Sequence, residues 1–330
     1  MMPENISTGA LPSKKDKRNA QHSDLAKATT FLIKGGFDYL PQDIEHQHTV
    51  GICTAISNVQ QNQLIDIQKY SPDFHYLCQK KFYDKNWTEG SSLLHSLKVA
   101  KNIGFLPRDL FPITEKDRYL PYREYIKKLQ AIPDAEIERL KALCVNKISG
   151  YAQVDVKDPE AIAKAILESQ GGILCRYGCQ SNWWQDKNGN NSWNPKDINP
   201  LRWKKETSGH AIIMSKFDYS NNRYMQRLVN TWGTLWCLQG QADIDWSTYP
   251  PTEAWIILDK NPMFKFTQDM KLGSRGNEVK ELQKRLGMPA IFQTGFFGSI
   301  TKKYVIEYQK KHQLVPDGII GSLSRAKLNN

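Results

Sequence analysis

The sequence predicts an α+β chain: a helix-rich first half, a strand-rich second half and a small three-helix module at the C-terminus. Three observations carry this. Apolar residues recur at helical spacing after Cys53, after Ser91 and after Glu160. Between Gly172 and Leu258 they run instead in short β-branched and aromatic stretches. Beyond a turn-rich link, helical spacing returns. Helices first and strands later argue for segregated elements rather than a wound α/β sheet.

The elements follow in order. Residues 1–30 read as a polar arm, with a cationic cluster at Lys14, Lys15, Lys17 and Arg18, and are expected to be solvated. The main domain spans residues 31–260. Its first helix, CTAISNVQQNQLIDIQ, starts at Cys53 and carries Ile56, Val59, Leu64 and Ile67 with no Pro or Gly. A second helix covers 91–103 and is stopped by Gly104 and Pro107; a third covers 160–169 and ends at Gly171-Gly172. Strands are expected at 172–177, 210–214, 224–230 and 254–258. Residues 181–207, rich in Trp, Asn and Lys, read as a long Trp-anchored loop. Asp259-Lys260-Asn261-Pro262 leads into a linker over 261–269, and the module fills 270–330.

Composition narrows the function. No apolar run approaches the length of about 18 residues needed for a transmembrane helix. The N-terminus lacks the apolar core of a Sec signal peptide, so delivery by host lysis, a holin or a particle is expected. The net charge is +11, and eleven Lys/Arg against four Asp/Glu after Met270 put +7 of it in the last sixty residues. Such a charge favours an anionic surface. Nucleic acid is the weaker candidate, because no recognised reading motif accompanies the basic residues. The six cysteines (53, 78, 144, 175, 179 and 237) lack tight CxxC pairs, so no metal or other cofactor is expected. Most read as reduced, buried small hydrophobes.

Cys53 differs. A Gly51-containing turn meets a helix there, and a helix N-terminus favours a thiolate. Thiol chemistry on an amide also needs a base and oxyanion donors. His210 follows Ser208-Gly209 and opens an apolar strand, from which it can point into a cleft. Asn230 closes a later strand, where its amide can orient an imidazole and Trp232 can shield the bond. Gln47, six residues before Cys53, is close enough for its amide to join the Cys53 N–H in an oxyanion hole. His46, His48, His75 and His95 lack such context and read as surface or packing residues.

Gln47-x5-Cys53, Ser208-Gly209-His210-Ala211 and Asn230-Thr231-Trp232-Gly233 together resemble the papain-like (C1) cysteine peptidases. The 157 positions from Cys53 to His210 slightly exceed the roughly 130–150 usual for the family, and the 181–207 loop accounts for the excess. Phe37-Asp38-Tyr39-Leu40-Pro41 and Glu89-Gly90-Ser91 are similar to further family segments, so the resemblance covers about residues 35–258. It implies a helical lobe facing an antiparallel sheet lobe, with Cys53 as nucleophile, His210 as base, Asn230 as orienting residue and Gln47 as oxyanion donor. Gly90 and Trp232 would line the substrate cleft. Gly51-Ile52-Cys53-Thr54 resembles the bacterial branch. Val50 stands where eukaryotic members have a disulfide cysteine, which leaves Cys78 without that partner. About 45 residues precede Gln47, fewer than the family's usual inhibitory pro-segment. Restraint of activity is then left to delivery, to the short arm, or to nothing.

In the module, Leu272-Gly273-Ser274-Arg275-Gly276-Asn277-Glu278-Val279 with Leu282-Gln283, Thr294-Gly295-Phe296-Phe297-Gly298, Tyr308-Gln309 and Asp317-Gly318-Ile319-Ile320-Gly321 together resemble the peptidoglycan-binding domain of bacterial and phage wall hydrolases. Helices are expected at 277–286, 299–312 and 322–328, with Val305, Tyr308 and the Lys311 stem along the second one's inner face. Three functions follow as expectations: a peptidase cleaving peptidoglycan stem or cross-bridge peptides, a wall-anchored peptidase acting on proteins, and a virion or structural wall-binding component with little turnover.

Overall fold

The computed structural model describes residues 8–14, 21, 44–65, 68–169, 172–179, 183, 188, 208–220, 223–258, 266–288 and 292–328. Lys15, Lys17, Arg18, the segment 37–41, the link at 259–262 and all of the 181–207 loop except Trp183 and Asn188 lie outside the described residues. The chain forms two compact units. The first comprises Met1–Leu64 and Lys69–Asp259, the second Ile65–Gln68 and Lys260–Asn330.

In the first unit, helices at Cys53–Ile65, Pro72–Cys78, Leu93–Asn102, Tyr122–Gln130 and Asp134–Ala142 come before most of the strands. The Leu93 helix begins where the Ser92 hydroxyl accepts from His95 N (3.2 Å), an N-cap that satisfies one otherwise unpaired donor. The strands are β1 (Ala10–Leu11), β2 (Ser91–Ser92), β3 (Gly150–Val154), β4 (Ile173–Cys179), β5 (Ser208–Ser220), β6 (Arg223–Val229), β7 (Gln241–Asp245) and β8 (Glu253–Leu258). Six of them form one sheet in the order β3-β8-β4-β5-β6-β7, with every neighbouring pair antiparallel. β4 is central and buried along most of its length, so its sequence, ILCRYGC, shows little polar alternation.

The Cys53 helix lies at the centre. Its apolar face joins Val59 to Leu93 and Leu97 and to Leu174, Ile213, Val229 and Trp255 of the sheet. Its polar residues are buried too and reach named partners. Asn58 Nδ2 donates to Ser96 Oγ (2.9 Å), Gln60 Nε2 to Asn230 O (3.3 Å) and Gln61 Nε2 to Gly172 O (2.6 Å). Buried amides with partners specify one docking of helix on sheet.

One expectation is corrected here. The arm is not wholly solvated: Ala10 is 2% exposed, and β1 pairs in parallel with β2. Its order comes from contacts to residues far along the chain rather than from its own polar sequence.

The second unit contains helices Asn277–Arg285, Ser299–Lys311 and Ser322–Leu328 around Met270, Val279, Leu282, Phe297, Val305, Ile320 and Leu328. Lys311 is exposed; Thr301 and Gln309 occupy the buried face with Val305 and Tyr308, because a capped amide packs there without stranding a charge. Two buried glutamines brace two glycine loops in the same way. Gln283 takes Gly295 N and gives to Phe296 O (2.9 and 2.8 Å). Gln309 takes Gly318 N and gives to Ile319 O (both 2.8 Å). Gly295 and Gly318 have φ of +72° and +74°, where a Cβ is strained.

Candidate active site

Cys53 is the first residue of its helix, and the preceding turn is held by Gly51 N donating to Glu89 Oε1 (2.8 Å). Backbone N–H groups of Ala211, Gly9, Thr54 and Cys53 itself point at Sγ; the Ala211 N···Sγ distance is 3.4 Å. The sulfur therefore sits against the His210-Ala211 step of β5. These donors favour a thiolate, but burial outweighs them and pushes the thiol up to about 11.

Asn230 Oδ1 accepts from Thr231 N (2.7 Å), which makes it the acceptor for His210 Nε2 (2.6 Å). The imidazole thus donates from Nε2, and its other nitrogen, Nδ1, is buried with no hydrogen-bond partner among the described residues. Burial holds His210 down at about 4 despite the Asn230 bond, so the ring is neutral at pH 7. Trp232 stacks on it, with ring centroids 4.5 Å apart and planes 23° apart. Trp183 meets both rings edge-on at 6.2 Å.

Gln47 is fully buried. Its backbone N–H donates to Thr231 O (2.9 Å), and its Oε1 accepts from the Thr231 hydroxyl (2.7 Å). That second bond assigns the amide: with Oε1 committed to Thr231, Nε2 is the atom left to face elsewhere. The sequence reading did not single out Thr231; its place between Asn230 and Trp232 was the available signal. Gly90, at φ +85°, is held through its carbonyl by Lys80 Nζ (2.8 Å) and through its N–H by Tyr76 Oη (3.1 Å). All six singled-out residues lie in the first unit. Cys53 meets the His210-Ala211 step, His210 bonds Asn230 and stacks on Trp232, Gln47 bonds Thr231, and Gly90 lies against Gly9 of the arm.

The arm runs along this cleft. Ser91 N donates to Gly9 O (2.7 Å), Arg176 Nε to Ala10 O (2.9 Å), and Ser13 N to Glu253 Oε2 (3.0 Å). With it in place, neither Cys53 nor His210 has exposed surface. The Gly9 N–H is among the donors that reach the sulfur.

The four other histidines weighed from the sequence belong to packing and ion pairs. His46 and His48 stack at 3.9 Å, His48 Nε2 lies 2.8 Å from Glu115 Oε1, His75 is buried against Ser96, and His95 pairs with Asp84. None of the six cysteines is in a disulfide. Among the described residues no three His, Cys, Asp or Glu converge as metal ligands, and no helix is long and apolar enough to cross a membrane.

The same arrangement of helices and sheet is found in xylellain, a cysteine protease from Xylella fastidiosa. The match has a TM-score of 0.59 at 17% identity and covers 78% of this chain and 98% of that one. The first unit has the papain-like fold. Proforms are among the papain-like neighbours, two of them with a TM-score of 0.51. The Amb a 11 cysteine protease of ragweed pollen matches with TM-score 0.51 at 15% identity over 74% of this chain and 71% of that one. Digestive procathepsin L2 of Tenebrio molitor matches with TM-score 0.51 at 14% identity over 78% and 76%. Residues 275–328, beyond the papain-like unit, match the family model "Putative peptidoglycan binding domain". No curated protein matches the chain.

Proposed function

We propose that the protein is a cysteine peptidase that hydrolyses peptide bonds in the bacterial cell wall, held there by residues 275–328. The observation that carries the chemistry is Cys53 at a helix start against the His210-Ala211 step, with His210 tied through Nε2 to Asn230. His210 Nδ1 takes the thiol proton, and the thiolate attacks the carbonyl carbon. Gln47 Nε2 and Cys53 N–H donate to the oxyanion. The protonated imidazole then gives its proton to the departing amine as the C–N bond breaks. Water, deprotonated by the same nitrogen, hydrolyses the thioester and restores the thiol. Asn230 keeps Nδ1 aimed at sulfur throughout, and Trp232 shields the Asn230 bond from water.

The wall as substrate rests on the C-terminal match. Tethering raises the local concentration of enzyme at an immobile substrate. Delivery by phage-type lysis or inside a virion belongs to the same reading.

The test is digestion of purified sacculi by the wild type, Gly9→Leu and Cys53→Ala, with new amino and carboxyl termini counted. A Cβ at residue 9 would meet Gly51 O at 2.0 Å, so Gly9→Leu dislodges the arm. Termini are expected from Gly9→Leu and none from Cys53→Ala. If neither the wild type nor Gly9→Leu releases any, the wall-peptidase reading fails. Cleavage of casein with intact sacculi would select a protein substrate instead.

A further inference from the structure

The arm is a peptide seated in the cleft, and the shape of its seat points to a substrate class. Three glycines from separate segments form the walls beside Cys53, and each touches the arm's backbone. A Cβ on Gly90 would meet Gly9 O at 2.5 Å, and one on Gly209 would meet Ala10 O at 1.9 Å. A Cβ on Gly51 would come within 3.2 Å of Gly9 Cα. The groove is therefore one backbone thick. The exclusion works in both directions. A Cβ on Gly9 would meet the oxygen, carbonyl carbon and Cα of Gly51 at 2.0, 2.6 and 2.8 Å. All three are main-chain atoms in a turn fixed by Glu89, so they cannot swing aside.

The next position is also restricted. The Ala10 methyl is buried in the apolar cluster that contains Cys53, Leu174 and Ala211. Leu11, by contrast, is 47% exposed, so the groove ceases to select there. Affinity comes from the backbone: Ser91 N holds Gly9 O, Arg176 Nε holds Ala10 O, and Sγ accepts from Gly9 N. Selectivity comes from excluding side chains rather than from welcoming any one of them.

We propose that the groove beside Cys53 selects peptides carrying glycine and alanine at and next to the cleaved bond. This rests on the peptidase reading and names its substrate class. A substrate threads the same walls with the carbonyl carbon of its cleaved bond at Sγ. Short glycine- and alanine-rich peptides, the class that includes wall stems and bridges, fit such a slot; peptides with bulky residues there do not.

Two measurements on the full chain test it. The first is the rate of Cys53 alkylation by iodoacetamide, read by peptide mass spectrometry. Gly9→Leu should raise it about tenfold or more, because the side chain cannot enter the slot. Leu11→Trp, altered where the arm faces solvent, should leave it unchanged. Equal rates in the wild type and Gly9→Leu, or equal acceleration by both variants, would overturn the proposal. The second is competition between synthetic peptides centred on Gly-Ala and on Leu-Phe, with kcat/KM measured for Gly9→Leu. A preference of about tenfold or more for Gly-Ala is expected; parity or a bulky preference overturns the proposal. Hydrolysis of neither peptide, with Cys53 still alkylated faster, sinks the peptidase reading while the alkylation result continues to read the slot.

Discussion

At the scale of single residues, Thr231 does as much positioning as Asn230. Its N–H fixes the Asn230 amide, and its hydroxyl fixes the Gln47 amide. Only the second bond depends on the side chain, so Thr231→Val separates the two. Valine keeps the shape and removes the donor, which leaves Gln47 Oε1 buried without it. The amide then loses the bond that assigns its orientation, and Nε2 presents less reliably to an oxyanion. In the Gly9→Leu background, kcat/KM should fall about tenfold while stability falls by about 1 kcal/mol. Unchanged kinetics would remove Gln47 orientation from the mechanism. The thiol and imidazole show why the arm matters electrically. Both are held neutral by burial, Cys53 near 11 and His210 near 4, although four N–H groups and Asn230 work in the other direction. An ion pair at neutral pH requires water to reach the pair.

At the scale of elements, the stretch leading to Gln47 is anchored by buried charges. Arg118 gives Nε and one terminal nitrogen to Asp73 (3.0 and 2.7 Å), and its other terminal nitrogen to His46 O (2.9 Å) and Glu45 (3.3 Å). Tyr125 Oη also donates to Asp73 (2.9 Å). Asp73→Ala would strand a buried guanidinium, so urea unfolding should show a loss of about 3–5 kcal/mol. A loss under 1 kcal/mol would mean that the network is wet. Most of these contacts could not be read from the sequence, because residues 45, 73 and 118 meet only in three dimensions. The helix from Cys53, the one ending at Ser169 and four sheet strands were legible, since they carry local apolar periodicity. β3 and β7 were not: GYAQV and QADID become strands by pairing with β8 and β6. The amphipathic Tyr122 and Asp134 helices carry a periodic signal as well, with Tyr125, Ile126 and Leu129 buried in one and Ile137 and Leu140 in the other. At the site, residue types and order marked Cys53, His210, Asn230 and Gln47, whereas the Gly9-Ala10 contact left only two small residues in a polar arm as its trace.

For the molecule as a whole, the histidines make acid stability a test of how dry the interior is. Burial pulls His46 and His75 to about 3 and His210 to about 4, with the neighbouring His48 adding to the effect at His46. In the unfolded chain each would bind a proton near pH 6.5. The sign follows from that difference. Above 6.5 both states are neutral and the full stability is present. Below it the unfolded state gains protons that the folded state refuses, so stability is lost as pH falls towards the folded values. Each histidine contributes up to about 1.4 kcal/mol per pH unit in that window. Ordinary carboxylates titrate lower, near 4, so the interval from pH 7 to 5 belongs to the histidines. All nine tryptophans lie between residues 87 and 255, so their fluorescence reports the first unit alone. Its urea midpoint should fall from pH 7 to 6 and fall more steeply from 6 to 5. His75→Gln should flatten that slope, because one of the three groups no longer titrates. A midpoint that stays level across the interval would mean that these rings are solvated, and with them the cleft that holds His210.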